Sequence, residues 1–169
     1  MNENVEQYRA LFLSSYNTIL RFVERRVSAR EDAAELAADV FRIAWQKYDP
    51  GQANSRSWLF TIARNVVLEH YRRTARRNAA TQRLIEATEL AGAPFMDDDG
   101  TEHPVIAALQ QLPERMQEVL RLRYWDELEI GEIATVLGIS QGATRVQLHR
   151  ARARIRELLP APLVRKGDA

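Results

Sequence analysis

The stretch EIATVLGISQGATRVQLHRARARIRELL, residues 132–159, decides the fold prediction. Its apolar first part, residues 133–137, predicts a helix that ends at Gly138, because a residue without a Cβ can take the left-handed conformation of a sharp helix exit. Ser140 then suits the N-cap of a second helix, where its hydroxyl would accept a hydrogen bond from a free amide. This is the layout of a helix-turn-helix, whose second helix enters a DNA major groove.

The second helix of this motif separates its basic and apolar side chains at spacings of three and four residues, as an amphipathic helix does. An arginine on the basic side could pair with guanine through two N–H groups. A solvated basic helix in an all-α domain is the alternative, but the turn, the cap and the one-sided arginines together favour DNA binding. The basic side holds Arg145, His149, Arg152 and Arg156, and the apolar side holds Leu148, Ala151, Ile155, Leu158 and Leu159.

Length and composition exclude several classes of protein. A chain of 169 residues holds one ordinary domain or two small ones. It has no cysteine and three scattered histidines, so we expect no disulfide framework, no metal site and no cofactor. No nucleophile–base pair or motif of paired acids is present, so the chain is not expected to be an enzyme or to have catalytic residues. The first residues do not resemble a secretory signal, and no apolar stretch approaches the roughly 20 residues that cross a bilayer, so we expect a cytoplasmic protein without membrane insertion.

Charge is unevenly spread along the chain, although the formal net charge is only +1. Residues 51–80 carry 6 arginines against Glu69 alone, whereas residues 81–104 carry Arg83 against 6 acidic residues. Two basic surfaces that flank an acidic segment suit a protein that touches a polyanion at two places. Nearly all of the cations are arginine, which favours planar, bidentate contacts with phosphates and base edges.

The pattern along the chain predicts an all-α fold of two small helical domains joined by a flexible acidic linker. Residues 1–80 form the first domain, 81–104 the linker, 105–160 the second domain and 161–169 a tail. Pro104 lies where a helix of the second domain starts, as does Pro113. The helices predicted outside the helix-turn-helix span residues 5–26, 30–48, 58–77, 105–112 and 114–125.

The third predicted helix, which starts at Trp58, is a second candidate for nucleic-acid binding. Aromatic and amide groups beside arginines can stack on an unpaired base, read its edge and hold its phosphates. The alternative is that Trp58 is a core residue, as a single tryptophan in an amphipathic helix often is. Trp58, Ile62, Val66 and His70 lie on adjacent turns, with Arg64, Asn65, Arg72 and Arg73 nearby and Arg76 and Arg77 completing the arginine cluster.

Three stretches of the chain each match a sequence pattern of one protein family. EDAAELAADVFRIAWQKY, residues 31–48, is similar to the pattern Asp-Ala-x-Asp-Leu-x-Gln-Glu-x-Phe. SRSWLFTIARNVVLEHYRR, residues 55–73, is similar to Phe-Arg-x-Trp-Leu-x-x-Ile-Ala-Arg-Asn, and residues 112–158 are similar to the family's C-terminal region. By the order and spacing of these motifs, the chain resembles the extracytoplasmic-function (ECF) sigma factors of the sigma-70 family over about residues 8–160, the first two stretches matching region 2 and the third region 4. The resemblance implies a sigma factor that binds core RNA polymerase and directs promoter recognition and transcription initiation.

The resemblance also implies roles for particular residues. Region 2 would bind the clamp helices of the polymerase β′ subunit, and region 4 would touch the β flap. The Trp58 helix would open and capture the −10 promoter element, and the recognition helix would read the −35 element. Promoter DNA and an anti-sigma factor are the other expected partners. The implied residues are Glu35, Leu36, Asp39 and Arg42 for polymerase, Trp58, Asn65, Arg72 and Arg73 for the −10 element, and Arg145, Val146, His149, Arg150 and Arg152 for the −35 element.

Departures from the family pattern occur in both regions. Ala38 and Asp39 replace the usual Gln-Glu pair, and Ser55 replaces the usual Phe before Trp58. Glu129 stands where Ser or Thr would cap a helix better, although its charge suits the positive helix end. Within the recognition helix, Ala143, Thr144, Val146 and Gln147 differ from the usual Thr-Val-Lys-Ser-Arg run.

Two other classes of protein remain open from the sequence. One is a transcriptional regulator that combines a helix-turn-helix with a helical dimerisation domain, which would leave the motif of residues 58–77 unexplained. The other is a helical adaptor that does not bind DNA and whose arginines are solvated. That class would not explain why the cations gather on two helices while the acids gather between them.

Overall fold

The computed structural model describes residues 3–51, 55–78 and 103–159. Within these ranges the chain is helical and has no strand, which confirms the all-α prediction. The predicted linker, up to residue 102, and the predicted tail at 161–169 lie outside the described residues. The helices are α1 (Glu3–Glu24), α2 (Arg30–Lys47), α3 (Arg56–Arg77), α4 (Pro104–Gln110), α5 (Glu114–Leu120) with a π-helical continuation (Arg121–Trp125), α6 (Ile130–Leu137) and α7 (Gln141–Leu158).

Helices α1, α2 and α3 belong to one compact unit, in which each helix packs against the other two. Helix α2 carries an apolar stripe, of which every member except Trp45 is buried. The stripe consists of Ala33, Leu36, Ala37, Val40, Phe41, Ala44 and Trp45. Aromatic rings fill the centre, where Phe22 of α1 meets Phe60 of α3 edge to face at a centroid distance of 5.3 Å. Such pairs add about 0.5–1.5 kcal/mol beyond their buried area. This core fixes the outer faces of α2 and α3, which hold two of the predicted sites.

The start of α3 corrects the predicted boundary. The helix begins at Arg56, two residues before the predicted start at Trp58. Ser55 is the cause, because its side-chain oxygen accepts a hydrogen bond from the Trp58 N–H at 3.3 Å. The serine that replaces the family's phenylalanine is therefore an N-cap.

The later helices belong mainly to a second compact unit, in which α7 packs chiefly on α5. Helix α4 starts at Pro104, and α5 follows Pro113, so both predicted starts are confirmed. The prediction of one regular helix over residues 114–125 is wrong in its last turn. From Arg121 the backbone is π-helical, and the Asp126 N–H donates to the Arg121 carbonyl, five residues back, at 3.1 Å.

The predicted helix-turn-helix is confirmed in its local geometry. Gly138 has a φ of 66°, the left-handed conformation expected at the exit of α6. Ser140 caps α7, and its hydroxyl oxygen accepts a hydrogen bond from the Ala143 N–H at 3.0 Å. At the other end of α6, the Glu129 N–H donates to the Glu132 carboxylate at 2.8 Å, which is half of a capping box. Glu132 thus satisfies the backbone N–H of Glu129, the residue that precedes the helix.

Candidate nucleic-acid and polymerase interfaces

The outer face of α7 displays four of the five residues predicted to contact the −35 element. Arg145, His149 and Arg150 are exposed, and Val146 is 48 % exposed. They follow one another at the spacing of a single helical face. The structure therefore brings these four side chains together on a surface that faces solvent.

The inner face of α7 holds this surface in place. Leu148 and Ala151 are buried, and the buried Thr144 hydroxyl donates to the Ser140 carbonyl at 2.9 Å. Among the described residues, no carboxylate forms an ion pair with Arg145 or Arg150. The Arg145 guanidinium donates only a long hydrogen bond, 3.4 Å, to the Gln141 side-chain oxygen. Both guanidinium groups are thus available to an anion on a helix that is fixed by its core.

The fifth predicted residue, Arg152, differs from the other four. It is half-buried, and its Nε donates a hydrogen bond to the Tyr124 hydroxyl at 2.6 Å. The guanidinium carbon lies 5.6 Å from the centroid of the tyrosine ring, within the range of a cation–π contact. No sequence signal pointed to Tyr124, because it lies 28 residues before Arg152 and on the π-helical stretch.

The residues of α3 predicted near the −10 surface are partly buried and partly exposed. Ile62 and Val66 are buried, so these two of the residues predicted on adjacent turns belong to the core. Trp58 is half-buried, and His70 is half-buried as well. Asn65 is exposed. The residue predicted to meet an unpaired base is therefore accessible, on the same helix as a partly covered tryptophan.

The arginines near the end of α3 are exposed but partly paired. Glu69 forms an ion pair with Arg76 at 2.9 Å and another with Arg72 at 3.7 Å. All three side chains are exposed, so solvent screens the attraction and the pairs add little stability. Arg73 is also exposed. A single carboxylate thus competes for two cations of this predicted DNA surface.

The predicted polymerase surface on α2 needs one correction. Leu36 is only 4 % exposed and packs in the core, so its side chain cannot present an apolar contact to a partner. Glu35 and Arg42 are exposed, and Asp39 is half-exposed. Asp39 and Arg42 form an ion pair at 3.3 Å across one helical turn. The outer face of α2 is therefore polar and charged at these three positions.

Trp45 extends the same face of α2, and sequence reasoning missed it. The side chain is 45 % exposed and lies one turn after Arg42. The tryptophan packs edge to face against Tyr8 of α1, with 4.8 Å between ring centroids. Trp45 follows Arg42 by three residues, which places both side chains on one side of the helix. Because Trp45 also belongs to the apolar stripe of α2, the sequence pattern predicted a core position instead.

Tyr8, which packs against Trp45, is itself fixed by two further contacts. Its hydroxyl donates a hydrogen bond to the Phe41 carbonyl, and its ring also meets that of Tyr48 edge to face at 5.4 Å. Burial raises the pKa of the Tyr8 hydroxyl above its ordinary value, which further favours the protonated form that donates this hydrogen bond. The aromatic cluster of Tyr8, Trp45 and Tyr48 is thus fixed to the end of α2.

Other kinds of site find no support in the described residues. They contain no group of three or more His, Asp or Glu side chains arranged to hold a metal ion. None of the helices they form is long and apolar enough to span a membrane.

A two-domain helical protein with a helix-turn-helix in its second part is the class that this geometry defines. Family models identify both parts: sigma-70 region 2 matches residues 11–77, and sigma-70 region 4 matches residues 103–155. The chain belongs to the sigma-70 family, within its ECF group. Regions 2 and 4 serve promoter recognition and transcription initiation, and the prediction of a sigma factor is confirmed.

Individual relatives agree with this assignment. The RNA polymerase sigma factor YlaC of Bacillus subtilis is 29 % identical over 153 residues, which cover 87 % of this chain and 88 % of YlaC. The ECF RNA polymerase sigma factor BldN of Streptomyces coelicolor is 28 % identical over 152 residues, which cover 85 % of this chain but only 57 % of BldN. The chain thus spans little more than half of that relative.

A solved structure supports the fold. The sigma factor RpoE of Bartonella quintana, crystallised with the anti-sigma factor NepR, is similar with a TM-score of 0.70 and 23 % identity, covering 95 % of this chain and 99 % of RpoE. At this level of identity the likeness extends to the fold alone.

Proposed function

We propose that this protein binds core RNA polymerase in the cytoplasm and directs it to promoters, without an enzymatic activity of its own. The observation that carries the proposal is the exposed face of α7, with Arg145, Val146, His149 and Arg150 on a helix that is capped and fixed by its core. A second exposed surface on α3 and a charged face on α2 lie in the other matched region. A DNA-binding helix and a polymerase-binding helix are what such a factor needs.

The α7 face would read the −35 element as duplex. Arginine forms two parallel hydrogen bonds with guanine in the major groove, and one good pair discriminates against the wrong base by about 1–3 kcal/mol. Arg145 and Arg150 have the exposure for such contacts, while Val146 offers an apolar contact with a thymine methyl group. The packing of Leu148 and Ala151 would set the depth to which these side chains enter the groove.

The α3 surface would act on the −10 element after strand opening. Asn65 presents an exposed amide that can hydrogen-bond to the edge of an unpaired base. Trp58 offers part of its ring for stacking, and Arg72 and Arg73 would hold phosphates. A base within a duplex cannot reach these groups in the same way, so this surface would favour the opened strand.

The outer face of α2 would bind the β′ clamp helices of polymerase, and region 4 would contact the β flap. Glu35, Asp39 and Arg42 supply the charges of this face, and Trp45 adds an exposed aromatic ring. Tryptophan and arginine are enriched among the residues that dominate protein interfaces. An anti-sigma factor is a further proposed partner, because the structurally similar RpoE was crystallised with one.

A charge-reversal pull-down tests the polymerase surface. Asp39→Arg should weaken retention of core polymerase while leaving helicity nearly unchanged, because the residue is half-exposed and outside the core. Glu6→Arg on the exposed surface of α1 is the matched control and should bind like the wild type. If Asp39→Arg retains polymerase normally and Arg150→Ala also transcribes normally, the proposed function is wrong.

A mobility-shift titration separates this function from that of a self-sufficient regulator. Each DNA surface is a single helix, and the α3 surface would need unpaired bases, so the free chain should bind a fully duplex promoter weakly. Polymerase would supply the alignment of the two surfaces that the predicted linker leaves undefined. Sub-micromolar, sequence-specific binding by the isolated chain would instead support the regulator.

A further inference from the structure

Tyr124 and Arg152 form a hydrogen-bonded pair beside the proposed −35 surface. Tyr124 is 55 % exposed, and its hydroxyl oxygen accepts the hydrogen of Arg152 Nε at 2.6 Å. Among the described residues, no carboxylate forms an ion pair with Arg152. The positive charge of this side chain is therefore oriented by a neutral partner and is not neutralised.

The hydrogen bond leaves a defined set of donors at the surface. A guanidinium carries five N–H donors, and only the Nε hydrogen is directed to the tyrosine, so both terminal nitrogens keep theirs. A tyrosine hydroxyl that accepts a hydrogen bond still has its own hydrogen to donate. The pair thus offers an O–H group and two guanidinium nitrogens, which suits a group with several anionic oxygens.

The position of the pair indicates which part of DNA it would meet. Arg152 lies one turn beyond His149 on α7, but its half-buried side chain is held toward the π-helical stretch instead of projecting outward. A side chain held at the flank of a recognition helix is placed for the backbone beside the groove more than for the base edges. Arginine and tyrosine are both among the residues that contact phosphates in protein–DNA complexes.

We propose that Tyr124 and Arg152 together bind one phosphate of the promoter backbone next to the −35 element, with Tyr124 orienting the arginine and donating its own hydrogen bond. The inference rests on the proposed function, and it assigns Arg152, one of the residues predicted for the −35 element, to backbone binding rather than to base recognition. The π-helical turn has a direct part in it, because Tyr124 lies within that turn, where the altered register sets the direction of its ring. A regular α-helical turn would present position 124 at a different angle.

The test uses holoenzyme reconstituted from core polymerase and the full chain, on a promoter selected from a randomised library by the wild-type holoenzyme. Tyr124→Phe, which keeps the ring and the charge, should weaken promoter binding about fivefold through the lost hydrogen bond. Arg152→Gln should weaken it more and lower the slope of log affinity against log salt concentration by about 1. The preference for −35 bases should be unchanged in both variants, because the lost contact is with the backbone.

Neutral methylphosphonate linkages, placed one at a time along the −35 region, locate the phosphate. One position should weaken wild-type binding and have little further effect on Tyr124→Phe or Arg152→Gln. Arg154→Gln is the matched control, since Arg154 is an exposed arginine of the same helix that pairs with Glu157 at 2.7 Å and has no tyrosine partner. Thermal melting of each variant verifies folding.

The possible outcomes separate the two proposals. If the wild-type holoenzyme selects no promoter, the proposed function fails. If it selects one but every methylphosphonate affects the variants and the wild type equally, the phosphate inference is overturned while the function stands. A change in preferred −35 bases for Arg152→Gln would also overturn it, because the arginine would then read a base.

Discussion

Helices α3 and α7 both start with a serine N-cap and both carry arginines, yet they differ in how many of their residues are buried. Helix α3 buries seven residues, all between Ser57 and Val67, and its cluster of arginines follows in the second half. Helix α7 buries only Thr144, Leu148 and Ala151, so most of its length faces outward. The difference shows that one helix is mainly a core element with a functional edge, whereas the other is mainly a surface supported by a narrow core stripe.

The charges of the two helices differ in the same sense. Glu69 pairs with Arg72 and Arg76 on α3, while Arg145 and Arg150 on α7 have no ion-pair partner among the described residues. Exposed arginines without ion-pair partners suit duplex DNA, because the phosphates of a duplex already have fixed positions when the protein binds. A partly paired surface beside a capped, buried segment suits a site that acts once strands have opened. The structural contrast thus parallels the proposed division between the −35 and −10 elements.

The largest expected effect comes from the core beneath α3. Phe60→Ala should destabilise the first unit by about 3–5 kcal/mol, because it removes a fully buried ring and leaves a cavity beside Phe22. Chemical denaturation followed by circular dichroism measures the change. Leu13→Ala is the control, since Leu13 is 68 % exposed and its truncation should cost little. Equal losses for the two variants would contradict the assignment of α3 as a core element.

The turn before α7 gives the next largest effect. Gly138→Ala should cost about 1–2 kcal/mol, because the added Cβ is disfavoured at a φ of 66° even though no atom lies within 4 Å of it. Gly142→Ala is the matched control within the first turn of α7, where its Cβ would meet the Ser140 hydroxyl oxygen at an ordinary van der Waals distance of 3.9 Å and alanine is the better helix former. The two substitutions should therefore shift the melting temperature in opposite directions. A shared direction would show that backbone conformation does not control this turn.

The two serine caps should contribute about equally. Ser55→Ala and Ser140→Ala each remove the acceptor of a helix-starting hydrogen bond, and each should lower the free energy of unfolding by about 1 kcal/mol. Ser55→Asp and Ser140→Asp keep an acceptor and should stay close to the wild type. A much larger loss at one cap would show that the two helices do not start by the same device.

The smallest effect on stability is expected from Glu69→Gln. Its ion pairs are exposed, so the free energy of unfolding should change by no more than about 0.5 kcal/mol. DNA binding should respond more, because Arg72 and Arg76 lose their competing carboxylate, and non-specific affinity for single-stranded DNA should rise about two- to threefold at low salt. Glu157→Gln, which frees Arg154 on α7, is the control for a general charge effect. Equal gains would mean that Glu69 has no special relation to the α3 surface.

Sequence predicted the features that depend on local chemistry. Gly138 and Ser140 specify the turn through backbone conformation and capping, which act within a few residues, and both were predicted correctly. Contacts between distant residues were not predictable in this way. The pairing of Arg152 with Tyr124 depends on how α7 packs against α5 and on a π-helical turn that no residue pattern announced.

Burial at the polymerase surface was predictable only in part. Leu36 and Trp45 both belong to the apolar stripe of α2, yet Leu36 is buried and Trp45 is 45 % exposed. The apolar stripe is broader than the surface that α1 and α3 can cover. The packing of these helices therefore decides which residues of the stripe remain exposed to solvent. Helical periodicity identifies the stripe but not its covered width.

Permanganate and DNase I footprinting of the same promoter complexes, formed by core polymerase with wild-type, Asn65→Ala or Arg150→Ala protein, tests the division between α3 and α7 most directly. The wild type should make thymines near −10 reactive to permanganate and protect the −35 region from DNase I. Asn65→Ala should retain −35 protection and lose the reactivity, because binding to duplex persists while capture of the opened strand fails. Arg150→Ala should lose −35 protection first, and a high protein concentration should restore both signals. The same defect in both variants, with protection and reactivity lost together, would contradict the separation of duplex reading from strand capture.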